Sequence, residues 1–242
     1  MEVRDGVAVL TLNRPAKLNA LNLQMLTDLR RFFGQVREND AIIGAVLTGT
    51  GTAFSAGQDL DVTPQSREEM DQAIEHYNDI TRAVLSCPKP VIAAINGIAV
   101  GGGLEITLPC DQRIASDNAE VFLPENLRGL AISNGASYLL PRLVGSYAMA
   151  LVMDSRRIDA REARRIGLFD DVVAPADLLG TALGTIQRWG ADGTATPMHL
   201  NLMRPPVEDV ERAMERERQA AGKLADRGKV RRGAYEYLGG SR

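Results

Sequence analysis

The chain has 242 residues, is 45% hydrophobic and carries a formal net charge of −3. That length buries a sizeable core in one large or two small domains, and the weakly acidic balance gives no electrostatic case for a nucleic-acid partner. No apolar run approaches the ~20 residues needed to cross a bilayer, and Met1-Glu2-Val3-Arg4-Asp5 lacks a secretory pattern, so a cytoplasmic protein with no membrane partner is expected.

In chain order, Gly6 to Leu12 reads as a buried strand closed by Asn13-Arg14-Pro15. Leu23, Leu26, Leu29, Phe33 and Val36 recur at helical spacing, which predicts an amphipathic helix from about 22 to 38. Ile42 to Leu47 reads as a second strand, bounded by the Thr48-Gly49-Thr50-Gly51 turn. Ser66-Arg67-Glu68-Glu69 is a capping-box pattern that opens a helix ending before Pro88, and Val91 to Ile95 is a buried strand running into a glycine loop. Strand and helix alternate to this point, which argues for layered α/β architecture.

Beyond about residue 134 strand signals thin out and helical ones dominate, with Asp159 and Asp177 as candidate helix starts. From about 206 to 225 the apolar positions are sparse: Val207, Val210, Met214 and Leu224. So thin a stripe calls for a partner surface or another subunit. The arginines of this region alternate with acids, as on a solvated helix face. We expect a core over residues 1–190 and a helical region over 191–242. Cys87 and Cys110 show no metal-ligand spacing and read as packed thiols; we expect no metal. His76 and His199 are each isolated, and neither reads as catalytic.

Three segments carry candidate chemistry. In Asn96-Gly97-Ile98-Ala99-Val100-Gly101-Gly102-Gly103-Leu104-Glu105 a buried strand turns into a helix over Leu104 to Leu108. Free N–H groups at such a helix start suit an anion, or an oxygen gaining negative charge. No Gly-Lys-Ser/Thr ending follows, so a P-loop is disfavoured; close helix–strand packing is the plain alternative use of the glycines. Glu105 lies about one turn after Gly102 on nearly the same side, although an acid there also serves simply to offset the helix dipole. Glu125, in Leu123-Pro124-Glu125-Asn126-Leu127-Arg128-Gly129, is the second carboxylate, with surface exposure as its ordinary alternative. Two carboxylates can divide general-acid and general-base work. The third segment, Phe54-Ser55-Ala56-Gly57-Gln58-Asp59-Leu60, offers a further backbone donor or only a turn. Ser55 stands outside a Gly-x-Ser-x-Gly elbow, which argues against a serine hydrolase.

Taken together in order, these blocks resemble the enoyl-CoA hydratase/isomerase (crotonase) family over nearly the whole chain. The resemblance rests on Leu12-Asn13-Arg14-Pro15 with Asn19-Ala20-Leu21, on Phe54 to Leu60, on Lys89 through Glu105 with Cys110-Asp111, and on Pro124-Glu125 with Gly129. Leu140-Pro141-Arg142-Leu143-Val144-Gly145 and Ala160 to Leu168 complete it. It implies a spiral of ββα turns followed by a helical trimerisation region, a homotrimer or homohexamer, and an acyl-CoA thioester as substrate. Coenzyme A then belongs to the substrate, and no separate cofactor is expected. It further implies an oxyanion hole from the N–H groups of Gln58 and Gly102, and substrate contacts at Ala20, Ala56, Gln58, Asp59, Leu60, Gly101, Gly102 and Gly129. Family members that hydrate a double bond carry glutamates at both positions matched by Glu105 and Glu125, whereas those that only move one often keep the Glu125 position alone. Hydration of a trans-2-enoyl-CoA is the leading expectation. Isomerisation, hydrolysis, decarboxylation or ring chemistry on an acyl-CoA, and a non-catalytic acyl-CoA-binding role, stand as alternatives.

Departures from the family pattern cluster around the expected acyl pocket. Leu130 to Tyr138 replaces a Gly-Gly-Thr-like segment, Asn126 stands where an aliphatic residue is common, and Asp61 stands where many relatives carry lysine. Asn134 and Tyr138 are therefore expected to serve a substituted or polar acyl group.

Overall fold

The long buried strands form because their apolar runs have two faces to cover. In the computed structural model, which describes residues 1–59, 61 and 66–226, Glu2–Arg4 (β1) pairs antiparallel with Val7–Leu12 (β2). Gly44–Gly49 (β3), Val91–Ile95 (β5), Gln112–Ser116 (β7) and Asp171–Val173 (β10) then add in parallel, in the order β1-β2-β3-β5-β7-β10. Alternate residues point to opposite faces. Ala8, Leu10, Leu47, Ala93 and Ile95 enter the main core, whereas Val7, Val46, Ile92 and Ala94 meet Leu178, Ala182 and Ile186 of the helix Leu178–Trp189 (α8). Burial on both faces is the reason these strands read as continuous apolar runs rather than alternating ones.

A second sheet is made of strands of two or three residues: Ala53–Ser55 (β4), Ile98–Val100 (β6), Glu120–Phe122 (β8) and Ile158–Asp159 (β9), in the order β4-β6-β8-β9. The first three run parallel. Each turn of the chain lays one strand in the large sheet, one in the small sheet, and then a helix: β3, β4 and Arg67–Leu85 (α2); β5, β6 and Gly102–Glu105 (α3); β7, β8 and Glu125–Arg128 (α4). This repeat is the spiral of ββα turns expected above. The helix expected over Leu104 to Leu108 starts earlier and is shorter, with only turns beyond Glu105. Strands β9 and β10 lie in the region expected to be helical; at two and three residues they are too short to show a period.

Helix starts follow the sequence signals. Asn22 caps Leu23–Glu38 (α1) through the Met25 N–H, Ser66 caps α2 through Glu69, and Asp159 caps Ala160–Arg165 (α7) through Glu162; such a cap contributes about 1 kcal/mol. Asp177 precedes α8 without a side-chain cap bond. Ala136–Val144 (α5), Tyr147–Met153 (α6), Thr196–Met203 (α9) and Val207–Asp226 (α10) make up most of the later helices. The thin stripe of α10 finds its partner within the chain, against α2 and α5. Val210 and Met214 are buried as expected, and Ala213, Glu217 and Ala221 join them, while Val207 stays exposed. No described helix is long and apolar enough to cross a membrane.

Candidate active site

Because β4, β6 and β8 are neighbouring parallel strands, the segments that leave their carboxyl ends emerge side by side. Those segments hold Gln58, Gly102 and Glu125. Crevices at the carboxyl ends of parallel strands are where ligands bind in α/β folds.

The first two segments touch backbone to backbone. Gly57 has φ +85, and a Cβ there would lie 2.5 Å from the Val100 carbonyl oxygen and 3.7 Å from the Gly102 nitrogen, so only glycine permits the approach. The N–H groups of Ala56, Gly57 and Asp59 are taken by Leu18 O at 2.9 Å, Ser55 Oγ at 3.2 Å and Leu21 O at 3.0 Å. That of Gln58 has no partner among the described residues, and neither has that of Gly102 at the start of α3. Gly101 has φ +51, its N–H is donated to Phe122 O at 2.9 Å, and a Cβ on it would collide with Glu125 Oε1. The Tyr77 ring of α2 lies over Gly102, with its hydroxyl buried and without a partner among the described residues.

These groups line one cavity of about 80 Å³, together with Glu105, Glu125, Arg128 and Ser133. Its remaining wall is apolar: Met70 and Ile74 of α2, Leu130, Ala131, and Ala221 of α10. A groove of about 260 Å³ shares Gln58, Ala73 and Tyr77 with it and continues along Leu21, Leu26, Asp59, Gln72 and His76. A larger cavity, about 740 Å³, lies elsewhere, between α5, α8 and α9. Its buried cations are committed: Arg113 to Asp170 and the Leu168 and Cys110 carbonyls, Arg204 to Asp111 and the Cys87 carbonyl. They hold the fold together, and the chemistry belongs to the smaller cavity.

The two glutamates sit in different surroundings. Glu105 is 1% exposed and accepts three hydrogen bonds, from Ser133 N at 3.0 Å, Ser133 Oγ at 2.7 Å and Asn134 Nδ2 at 2.9 Å. Burial raises its pKa, the three donors oppose that rise, and the balance is about 7. Glu125 has no comparable donors, and its Oε2 is shielded from solvent without a partner among the described residues. Burial first, and then the charge of Glu105, push its carboxyl well above the ordinary carboxylate range. Of the two, Glu105 ionises first, so the negative charge the pair takes up rests on Glu105 and the proton stays on Glu125.

A second layer steadies Glu105. Glu217 of α10 is buried and accepts from Gly135 N at 2.8 Å and Ser137 N at 2.7 Å, fixing the backbone that follows Ser133 and Asn134. Thr81 of α2 donates to the Asn134 carbonyl at 3.0 Å. The donors on Glu105 are thus tied to both α2 and α10.

Of the residues expected at the site, Ala56, Gln58, Gly101, Gly102, Glu105 and Glu125 meet in the cavity, and Asp59 lines the adjoining groove. Asp59 is paired with Arg14 at 2.7 Å, and Arg14 also holds the Ala20 carbonyl at 2.7 Å. Ala20 is buried behind the loop, and Gly129 ends α4 at φ +70. Leu60 lies outside the described residues. The expected polar acyl contacts fall differently. Asn134 stands behind Glu105 as one of its donors, and the Tyr138 hydroxyl donates to Asp209 at 3.1 Å, away from the cavity. Asn126 turns out to Met153 O at 2.8 Å, and Asp61 pairs with Lys17 at 3.0 Å. No role is expected from the sequence for Ser133, Tyr77, Arg128 or Glu217; Arg128 and Ser133 lie in segments singled out above, but contact across elements is the only signal of what these four side chains do.

The family model for enoyl-CoA hydratase/isomerase matches residues 2–240. A Bacillus subtilis protein provisionally named an enoyl-CoA hydratase/isomerase, YngF, is 45% identical over 185 residues, covering 74% of this chain and 70% of its own. A short-chain-enoyl-CoA hydratase of Clostridium acetobutylicum is 39% identical over 185 residues, covering 75% and 71%. Among solved structures, an enoyl-CoA hydratase from Bacillus halodurans superposes with a TM-score of 0.87 at 25% identity, covering 95% of each chain.

Proposed function

Since the chain belongs to the enoyl-CoA hydratase/isomerase family and has its fold, we propose that it adds water across the 2,3 double bond of a trans-2-enoyl-CoA. One observation carries this reading: a buried glutamate, Glu105, and a half-buried one, Glu125, in unlike environments face a single cavity that also holds two uncommitted backbone donors.

In this reading the thioester oxygen accepts from the Gln58 and Gly102 N–H groups, and the coenzyme A arm leaves along the adjoining groove. Ionised Glu105 takes a proton from water as the water oxygen bonds to C3. The π electrons shift toward the thioester oxygen, giving an enolate, and each well-placed donor there contributes ~3 kcal/mol. Protonated Glu125 then delivers its proton to C2. Water has been added, and the proton gained by Glu105 replaces the one Glu125 gave up, so the pair is reset by one proton exchange. The unequal surroundings support this division of roles, since three donors favour an ionised Glu105 and a shielded Oε2 without donors favours a neutral Glu125.

A second reading, isomerisation by Glu125 alone, draws support from the fact that Glu105 is already engaged by three donors. The experiment that separates the two incubates the protein with a panel of 2-enoyl- and 3-enoyl-CoAs and follows products by mass spectrometry. Mass gain of one water supports hydration, and isobaric products support isomerisation. Glu105→Gln and Glu125→Gln are each expected to lower hydration ~10²–10⁴-fold; loss in Glu125→Gln alone would favour the isomerase.

A further inference from the structure

Arg128 is the one cation in the wall of the cavity among the described residues, and nothing there pairs with it. It follows Glu125 by three residues on the single turn of α4, and so projects on nearly the same side. The side chain is partly buried, and its Nε is shielded from solvent without a hydrogen-bond partner among the described residues. Burial pulls its pKa below the ordinary arginine value, against the charge of Glu125. Elsewhere in this chain, buried arginines are saturated: Arg113 and Arg204 each hold a carboxylate and several carbonyls. A guanidinium even partly withdrawn from water, with no counter-charge beside it among the described residues, carries a cost. Glu125 does not fill that role in the proposed reaction, since it has to hold its proton.

Position decides what anion would. The groove along Asp59, Gln72 and His76 departs from one side of Gln58, Ala73 and Tyr77, and Arg128 does not line it. Arg128 lies with Leu130 and Ala131 in the cavity itself, where the acyl group extends if the thioester sits at Gln58 and Gly102. We propose that Arg128 is a specificity residue that accepts a carboxylate on the acyl chain, so that the preferred substrate is a short enoyl-CoA carrying a second, anionic end. This rests on the acyl-CoA reading of the site. A planar guanidinium with an unused Nε is suited to a two-point bond with a carboxylate, and the small apolar remainder of the cavity leaves room for only a short chain between them.

The test compares trans-2-pentenedioyl-CoA with neutral trans-2-pentenoyl-CoA, using kcat/KM for hydration as the readout. The wild-type protein should prefer the carboxylated thioester by about 10–100-fold, the range expected of a hydrogen-bonded charge pair. Arg128→Gln should collapse that ratio toward one, and Arg128→Lys, which keeps the charge but not the fork, should retain an intermediate value. A wild-type ratio at or below one, or an unchanged ratio in Arg128→Gln, overturns the proposal. If neither thioester is hydrated, the hydratase reading fails, and binding decides the role of Arg128 separately. Calorimetry with saturated pentanedioyl-CoA, pentanoyl-CoA and free coenzyme A should show Arg128→Gln weakening the first about 10-fold more than the others. Equal weakening of all three would mean that Arg128 holds coenzyme A phosphates, and would overturn the acyl assignment.

Discussion

Ser133→Ala removes the shortest of the three hydrogen bonds on Glu105, the 2.7 Å bond from Oγ, and leaves the backbone N–H and Asn134 in place. A hydrogen bond to a charged group contributes about 1.5–3 kcal/mol, and 1.36 kcal/mol corresponds to one pH unit, so the lost donor amounts to about one to two pH units. The sign follows from which form the bond stabilises. The donor favours the carboxylate, so losing it raises the pKa of Glu105 further above its present value of about 7. At pH 7 the ionised fraction falls from about one half to between roughly one in ten and one in a hundred, and kcat/KM falls about 5- to 50-fold. The loss should be recovered as the pH rises past about 9. The assay is the pH profile of kcat/KM for enoyl-CoA hydration, in which the acid limb reports the free enzyme's base. A uniform loss with the limb in its original place, or an unaltered profile, would refute the assignment of Glu105 as that base.

The remaining predictions concern the same groups and the assembly. Because the pKa of Glu105 is raised in the folded protein, its contribution to stability is present below about pH 4.5 and is lost as the pH rises through about 7. Glu105→Gln should therefore melt higher than wild type at pH 8 and lose that advantage near pH 4, in thermal melts followed by circular dichroism. With a bound acyl-CoA labelled at its thioester carbonyl, the stretching frequency should fall relative to free thioester and stay low in Glu105→Gln, since the donors are main-chain groups; an unshifted band would remove Gln58 and Gly102 from the oxyanion hole. Light scattering at micromolar concentration should report trimers or hexamers, the assembly that would cover the exposed Met198, Leu202 and Met203 of α9 and Met149 of α6. A monomer alone would contradict it.

Sequence by itself determined the elements whose signals are local. The apolar runs of β2, β3 and β5, the stripe of α1, and the caps at Ser66 and Asp159 each depend on residues within a few positions of one another. The order of the glycine and glutamate motifs was equally legible, and with it the family. Pairing was not. Strands β4, β6 and β8 are only three residues long, and no periodicity announces that they lie side by side and bring Gln58, Gly102 and Glu125 to one cavity. Nor does anything in Leu130 to Tyr138 tell Asn134, which turns in to Glu105, from Tyr138, which turns out to Asp209. Glu217 reaches Gly135 across 82 residues, and Arg128 lacks a partner among the described residues only because of what the tertiary fold does and does not place beside it. Such properties depend on burial and on contacts between distant segments. The free energy of a charge or a donor is set by what surrounds it in space, and a linear sequence records only what surrounds it along the chain.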